Sequence, residues 1–285
     1  MKGWIDRLNE AVAYIEAHLD DDISYEKAAT IAGCSTYHFL RMFAYIADVP
    51  LSEYIRRRQL TKAAFDLRAG DKVLDVALRY GYGSPTAFNR AFRNLHGVTP
   101  SASRREGMAL KAYFPITFVM SIQGAYGMEY RIETKPSFSV VGISFATGKE
   151  SKESFSSIPK FWDKATRDGS LERICALIGK EPKGLLGICS GTDADHIEYA
   201  IAAASEGPGP AGLRTMSVPS ATWAIFPGRG RMPDAIHALY RQVMSEWLPS
   251  SGYEFGDAPD IERYLSNRNS LNQEFEIWIP IVKKS

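Results

Sequence analysis

Apolar residues Leu8, Val12, Ile15 and Leu19 recur at helical spacing, which predicts an amphipathic helix over residues 4–19, ended by Asp20-Asp21-Asp22. Ser24 suits an N-cap for a second helix, although Lys27 stands where a capping box would place Glu or Gln. Ala28, Ala29, Ile31 and Ala32 permit close helix contact, and Gly33 supplies a turn into a third helix that starts at Ser35. Two helices joined in this way follow helix-turn-helix grammar. A continuous helical pattern then occupies residues 50–68, through Leu51, Tyr54, Ile55, Leu60, Ala63, Ala64 and Leu67. Beyond it the grammar repeats. Val73, Val76, Ala77 and Leu78 precede a Gly81-Tyr82-Gly83 turn, and Ser84 with Pro85 opens another helix. Both third-helix segments carry Ser-x-x-x-Phe-x-Arg-x-Phe, starting at Ser35 and at Ser84. The two Phe of each copy share one helix face, and the Arg between them points roughly opposite.

Downstream of Arg105 the periodicity changes. Phe114, Ile116, Phe118, Met120 and Ile122 alternate around Pro115, which predicts a strand or extended connector closed by Gly124 to Gly127. From residue 129 the order strand, strand, helix, strand, strand runs twice. The first round has strands at 130–133 and 139–145, a helix at 160–178 broken near Gly169, and strands at 185–189 and 197–202. The second has strands at 213–218 and 222–226, a helix at 233–247, and strands at 261–265 and 275–281. Pro136-Ser137 before a strand ending at Gly148 is echoed by Pro219-Ser220 before one ending at Gly228, and Glu198 by Glu276. The expected fold is therefore α+β and multidomain. Residues 1–106 form an all-α domain of two helix-turn-helix units joined by a long helix, 107–128 a linker, and 129–285 an α+β domain of two pseudo-symmetric β-β-α-β-β halves.

Charge sharpens the picture of the first domain. The net charge of +1 hides an acidic start, with three Lys/Arg against seven Asp/Glu in residues 1–34, and a basic block of thirteen against six in residues 35–112. Such a block suits phosphate contact, and the repeated Phe-x-Arg-x-Phe points to two helices that read double-stranded DNA. The intervening helix is roughly 28 Å long at 1.5 Å per residue, close to the 34 Å of one DNA turn, so it could set two recognition helices into successive major grooves. Arg56-Arg57-Arg58 lies within it, and three consecutive residues cannot share one helix face. Cys34, Cys175 and Cys189 are far apart without C-x-x-C spacing, which reads as buried inert thiols rather than a zinc site or disulfide framework. No metal or cofactor is expected. No apolar run approaches the length of a membrane span, so the expectation is a cytoplasmic protein that contacts no membrane.

The residues quoted carry a family resemblance. Ala28-Ala29-x-x-Ala32-Gly33, Tyr80-Gly81-Tyr82 and Phe88-x-Arg90-x-Phe92-x-x-x-x-Gly97-x-x-Pro100-Ser101 resemble the DNA-binding domain of the AraC/XylS family. That resemblance implies a sequence-specific transcription regulator, not an enzyme, with Arg41 and Arg90 as base or phosphate contacts. With Phe39, Phe43 and Ile46 inward, the first recognition helix leaves Thr36, Tyr37, Leu40, Arg41 and Ala44 outward. With Phe88, Phe92 and Leu95 inward, the second leaves Thr86, Asn89, Arg90 and Arg93. Arg suits guanine and Asn suits adenine in the major groove. Leu40, Pro85 and Ala87 stand where some family members carry polar residues.

Tyr130-Arg131-Ile132-Glu133, Pro227-Gly228, Ile261-Glu262-Arg263-Tyr264-Leu265 and Glu276-Ile277-Trp278-Ile279-Pro280 resemble the GyrI-like small-molecule-binding domain of multidrug-responsive regulators. The resemblance implies a small hydrophobic or cationic effector and a buried acid in its pocket, a role that falls on Glu262, with Glu276 second. Glu262 and Tyr264 project to one side of their strand, and Glu276 and Trp278 pair likewise on theirs. Tyr130, Trp223, Phe226, Tyr240, Tyr264 and Trp278 are candidate walls. Two alternatives stand beside this reading: a GyrI-like hydrolase of reactive electrophiles in which a Glu activates water, and a C-terminal module that binds only a protein partner such as RNA polymerase. A DNA-repair protein with an alkyl-accepting Cys is a third, but the Pro-Cys-His context it needs is absent.

Overall fold

The computed structural model describes residues 3–119, 127–148, 151–191, 196–265 and 272–284; Met120, Ile122 and Gly124 of the expected connector lie outside them. The N-terminal helices are α1 (Trp4–Ala17), α2 (Tyr25–Ala32), α3 (Thr36–Ala47), α4 (Leu51–Ala69), α5 (Val73–Arg79) and α6 (Pro85–His96). Three serines start helices as the sequence predicts. Ser24, Ser35 and Ser84 each accept the backbone N–H three residues on, from Lys27, His38 and Ala87 at 3.1, 3.3 and 3.2 Å. Gly33 ends α2 at φ 76°, a left-handed conformation that glycine adopts without penalty. The adjacent arginines of α4 diverge as their spacing requires. Arg56 and Arg57 both reach the buried Glu53, at 2.8 and 2.7 Å, whereas Arg58 turns to Glu16 at 2.7 Å.

The two helix-turn-helix units differ in how they are packed. The second has its own core of Leu60, Leu67, Val76, Phe88, Phe92 and Leu95. The core of the first, built from Leu8, Ile15, Phe39, Phe43 and Tyr54, continues without a break into Tyr240, Met244, Phe275 and Ile277 of the C-terminal domain. Between the domains, residues 111–119 carry neither helix nor strand and do not pair with the sheet. Their backbone is held by α1 and α4: Phe118 donates to Asn9 Oδ1 at 2.8 Å and Ile116 to the Tyr54 hydroxyl at 3.2 Å.

The C-terminal domain consists of β1 (Arg131–Lys135), β2 (Phe138–Gly148), α7 (Ser151–Arg167), α8 (Ser170–Cys175), β3 (Leu185–Gly191), β4 (His196–Ala204), β5 (Arg214–Val218), β6 (Ala221–Gly230), α9 (Asp234–Gln242), β7 (Tyr253–Phe255), β8 (Asp260–Tyr264) and β9 (Gln273–Lys283). The antiparallel sheet has the order β1-β6-β9-β8-β3-β4-β2-β5. Exchanging β1 with β5, β2 with β6, β3 with β8 and β4 with β9 reproduces that order reversed, so a pseudo-twofold axis passes between β3 and β8. Ion pairs obey it too, since Glu198 on β4 holds Arg214 of β5 at 3.1 Å and Glu276 on β9 holds Arg131 of β1 at 2.8 Å. Three details differ from the sequence expectation. The first helix begins nine residues earlier, at Ser151, although its break at Gly169, with φ 75°, falls where the sequence places it. The second passes into a π-helical turn over Val243–Trp247. β7, three residues long and paired with the end of β9, is too short for alternation to reveal.

Burial is uneven among the cysteines. Cys189 is buried, which pushes its thiol up to about 11, whereas Cys34 is half-buried and Cys175 is exposed, contrary to a set of buried thiols. No helix of the described residues is long and apolar enough to cross a membrane. Because Phe92 is fully buried in the second unit, Phe92→Ala is expected to destabilise that unit by about 3–5 kcal/mol in urea titration followed by circular dichroism. A loss below about 1 kcal/mol would contradict this packing.

Candidate functional site

Helix α6 presents its polar face to solvent. Thr86, Asn89, Arg90 and Arg93 are exposed, on the side opposite the buried Phe88, Phe92 and Leu95. Helix α3 does not. The face expected to point outward meets the C-terminal domain, with Tyr37, Leu40 and Ala44 buried, Thr36 half-buried and the Arg41 side chain only 10% exposed. The reason is compositional: with Leu40, Ala44 and Tyr45 beside Tyr37, this face is largely apolar and finds apolar partners in Ile236, Tyr240 and Val243 along α9 and its continuation. Leu40, already out of place for a DNA-facing position, is the sequence signal for this contact. A cavity of about 510 Å³ remains beside the start of α3, lined by Thr36, His38, Ser190, Glu198 and Met216.

The Arg41 guanidinium sits in a cage made by both domains. Nη2 donates to Glu262 Oε1 at 3.1 Å, Nε lies 3.4 Å from Asp260 Oδ2, and Nη1 donates to the Tyr37 hydroxyl at 2.8 Å. That hydroxyl in turn donates to Asp260 Oδ2 at 3.2 Å. Three aromatic rings surround the cation, with centroids 4.5 Å (Tyr240), 5.6 Å (Tyr45) and 6.0 Å (Tyr37) from Cζ. Tyr45 and Tyr240 stack at 4.7 Å, and burial raises both phenols far above their ordinary range, so they stay neutral. The fully buried Tyr240 hydroxyl has no hydrogen-bond partner among the described residues.

Glu262 is held from its other side by the sheet. Its Oε2 accepts the hydroxyls of Tyr199 at 3.0 Å and Tyr264 at 2.9 Å, while the Trp162 indole of α7 donates to Tyr199 at 3.0 Å. Burial, and then the adjacent Glu262 charge, push the Tyr199 phenol well up, which keeps it a donor. Opposite Glu262 in the β3–β8 ladder stands Gly187. A Cβ there would lie 2.3 Å from the Tyr199 oxygen and 3.0 Å from Glu262 Oε2, so only glycine leaves room for the pair.

The candidate pocket residues do not form one group. Glu262, Tyr264 and Tyr240 come together around Arg41, but Glu276, Trp223 and Trp278 lie on the opposite sheet face. There Glu276 binds Arg131 at 2.8 Å and Arg263 at 3.2 Å and accepts the Trp278 indole at 2.9 Å, and the two Trp rings lie 6.1 Å apart. Tyr130 and Phe226 occupy the helix-bearing face, where both pack on Trp247, at 5.1 and 4.9 Å. Asp260, Tyr199, Tyr45 and Trp162 belong to the cage although sequence reasoning passed over them. Among the described residues no cluster of His, Cys, Asp and Glu could hold a metal ion.

Comparison with known proteins gives two matches along the chain. Residues 131–281 match the family of integron-associated effector binding proteins, and residues 28–106 match a helix-turn-helix domain. The chain is 38% identical over 99 residues to the TetD protein of transposon Tn10 from Escherichia coli, which covers 34% of this chain and 72% of TetD. It is 36% identical over 99 residues to the right origin-binding protein of Escherichia coli K12, covering 34% of each, so it spans about a third of that relative's length. The structure of SAV2435 bound to tetraphenylphosphonium has a TM-score of 0.48 at 22% identity, over 54% of this chain and 94% of that one.

Gly187→Ala is expected to lower stability by about 1–3 kcal/mol, because the new methyl group collides with Tyr199 and Glu262. Chemical denaturation measures it, and unchanged stability would contradict the close approach.

Proposed function

Since the chain belongs to the AraC/XylS family of DNA-binding transcription regulators and carries a GyrI-like effector-binding domain, we propose that its effector is a hydrophobic organic cation seated on Glu262. The observation that carries this reading is the pairing of one buried carboxylate with aromatic walls. Glu262 is 8% exposed, is fixed by two tyrosine hydroxyls, and faces Trp162, Tyr240 and Tyr264. A cation gains from both the charge and the ring faces, and the site is dry enough for neither to be screened. Arg41 supports the reading, since the group now held there is itself a delocalised cation. Engagement of both Glu262 oxygens favours binding over activation of a water molecule.

On the DNA side, α6 reads base edges through Asn89 and Arg90, with Thr86 and Arg93 beside them on the same exposed face. Arg41, Tyr37, Leu40 and Thr36 join only when α3 is uncovered. The regulator works in the cytoplasm, and the effector alters transcription through promoter affinity or polymerase recruitment.

Two measurements test these assignments. In equilibrium dialysis with tetraphenylphosphonium, the cation seen on SAV2435, Glu262→Gln is expected to weaken binding about tenfold or more, the loss of a charge-based contact of about 1.5–3 kcal/mol. Unchanged affinity would remove Glu262 from the site. In gel shifts on a site selected from random duplexes, Asn89→Ala and Arg90→Ala should each cost about 1–3 kcal/mol of specific binding; full retention in both would exclude α6 as the reader.

A further inference from the structure

We propose that Arg41 is the built-in occupant of the effector seat, so that the cationic effector and the first recognition helix compete for Glu262. This rests on the cation-site reading above and adds its regulation. The argument is one of shared atoms. Glu262 Oε1 and the Tyr240 ring, the groups an organic cation would use, are the groups that hold the Arg41 guanidinium, at 3.1 Å and 4.5 Å. Asp260 is fully buried, and the Arg41 guanidinium lies 3.4 Å from its Oδ2, with His38 Nε2 3.4 Å from Oδ1, so the acid pair requires a cation in either state. Tyr37 and Tyr45, two of the three rings around the cation, belong to α3 itself, and Tyr37 packs against Gly191, where an added Cβ would come within 3.1 Å. An incoming cation therefore cannot enter beside Arg41; α3 must leave.

Departure of α3 uncovers the helix face that carries Tyr37, Leu40 and Arg41, while α6 is uncovered in both states. The effector then raises DNA affinity, and by linkage DNA raises effector affinity by the same factor. If the closed form holds 99% of molecules, apparent effector affinity falls about 100-fold from its intrinsic value.

The test titrates tetraphenylphosphonium into the full-length protein and into Arg41→Gln. The variant is expected to bind at least tenfold tighter, because the competitor is gone. In the unsubstituted protein, saturating cation should reduce hydrogen-exchange protection in α3 and α9 and leave α6 unchanged. Unchanged or weaker binding by Arg41→Gln, or α3 protection that does not respond, overturns the competition. Glu262→Gln separates the two levels: if it weakens binding while Arg41→Gln does not tighten it, the seat stands and competition falls. If neither protein binds the cation, both readings fall.

Discussion

The buried contact between Arg41 and the acid pair Glu262 and Asp260 joins the first helix-turn-helix unit to the sheet of the C-terminal domain. Both side chains of the Arg41–Glu262 pair are about nine-tenths withdrawn from water, so neither charge is tolerable alone. Removing one partner from such a pair costs on the order of 3–5 kcal/mol, because the other charge is left buried and uncompensated. The pair is therefore stable only while a cation occupies it, which is what the proposed competition between Arg41 and an effector requires. Around it the supporting contacts are weak individually. Arg7 with Glu254 and Arg241 with Asp48 are partly exposed pairs of a kind worth less than about 1 kcal/mol each.

The two halves of the DNA-binding domain are consequently unequal. The first unit shares a core with the sheet and α9, so its recognition helix is covered whenever that core is intact. The second unit is separately packed around the end of α4, with Leu110 and Tyr113 against the same core, and the polar face of α6 is open. Under the proposed competition, one unit stays available for DNA and the other depends on what fills the proposed seat at Glu262. The pseudo-twofold sheet explains where that site lies: Glu262 sits on β8, one of the two strands beside the axis, facing a glycine on the other.

Much of this was legible in the sequence because it depends on local rules. Ser24, Ser35 and Ser84 announce their helices through side-chain oxygens that reach only three residues, and the repeated Pro-Ser turns mark the two halves of the C-terminal domain. What escaped depends on register and docking. Alternation places Glu262 with Tyr264 and Glu276 with Trp278, but it does not say which sheet face each pair takes. The β8–β9 register pairs Glu262 with Ile277 and Ile261 with Trp278, and that alone sends the two acids to opposite faces. Likewise, helix periodicity puts Tyr37, Leu40 and Arg41 outward from their own unit, and only the apolar character of Leu40 and Ala44 hints that another domain covers them. Asp260 was missed because it is the first residue of its strand, and Tyr199 and Trp162 because they come from strands and helices distant in sequence.

The most direct test of the account is a hydroxyl-radical footprint on a selected DNA site at half occupancy, with and without saturating tetraphenylphosphonium. The account predicts protection of the backbone flanking one major-groove segment by the effector-free protein, and flanking two segments about one helical turn apart once the cation is bound. Identical two-groove footprints in both conditions would show that α3 reaches DNA without leaving Glu262 to the effector, and would contradict it.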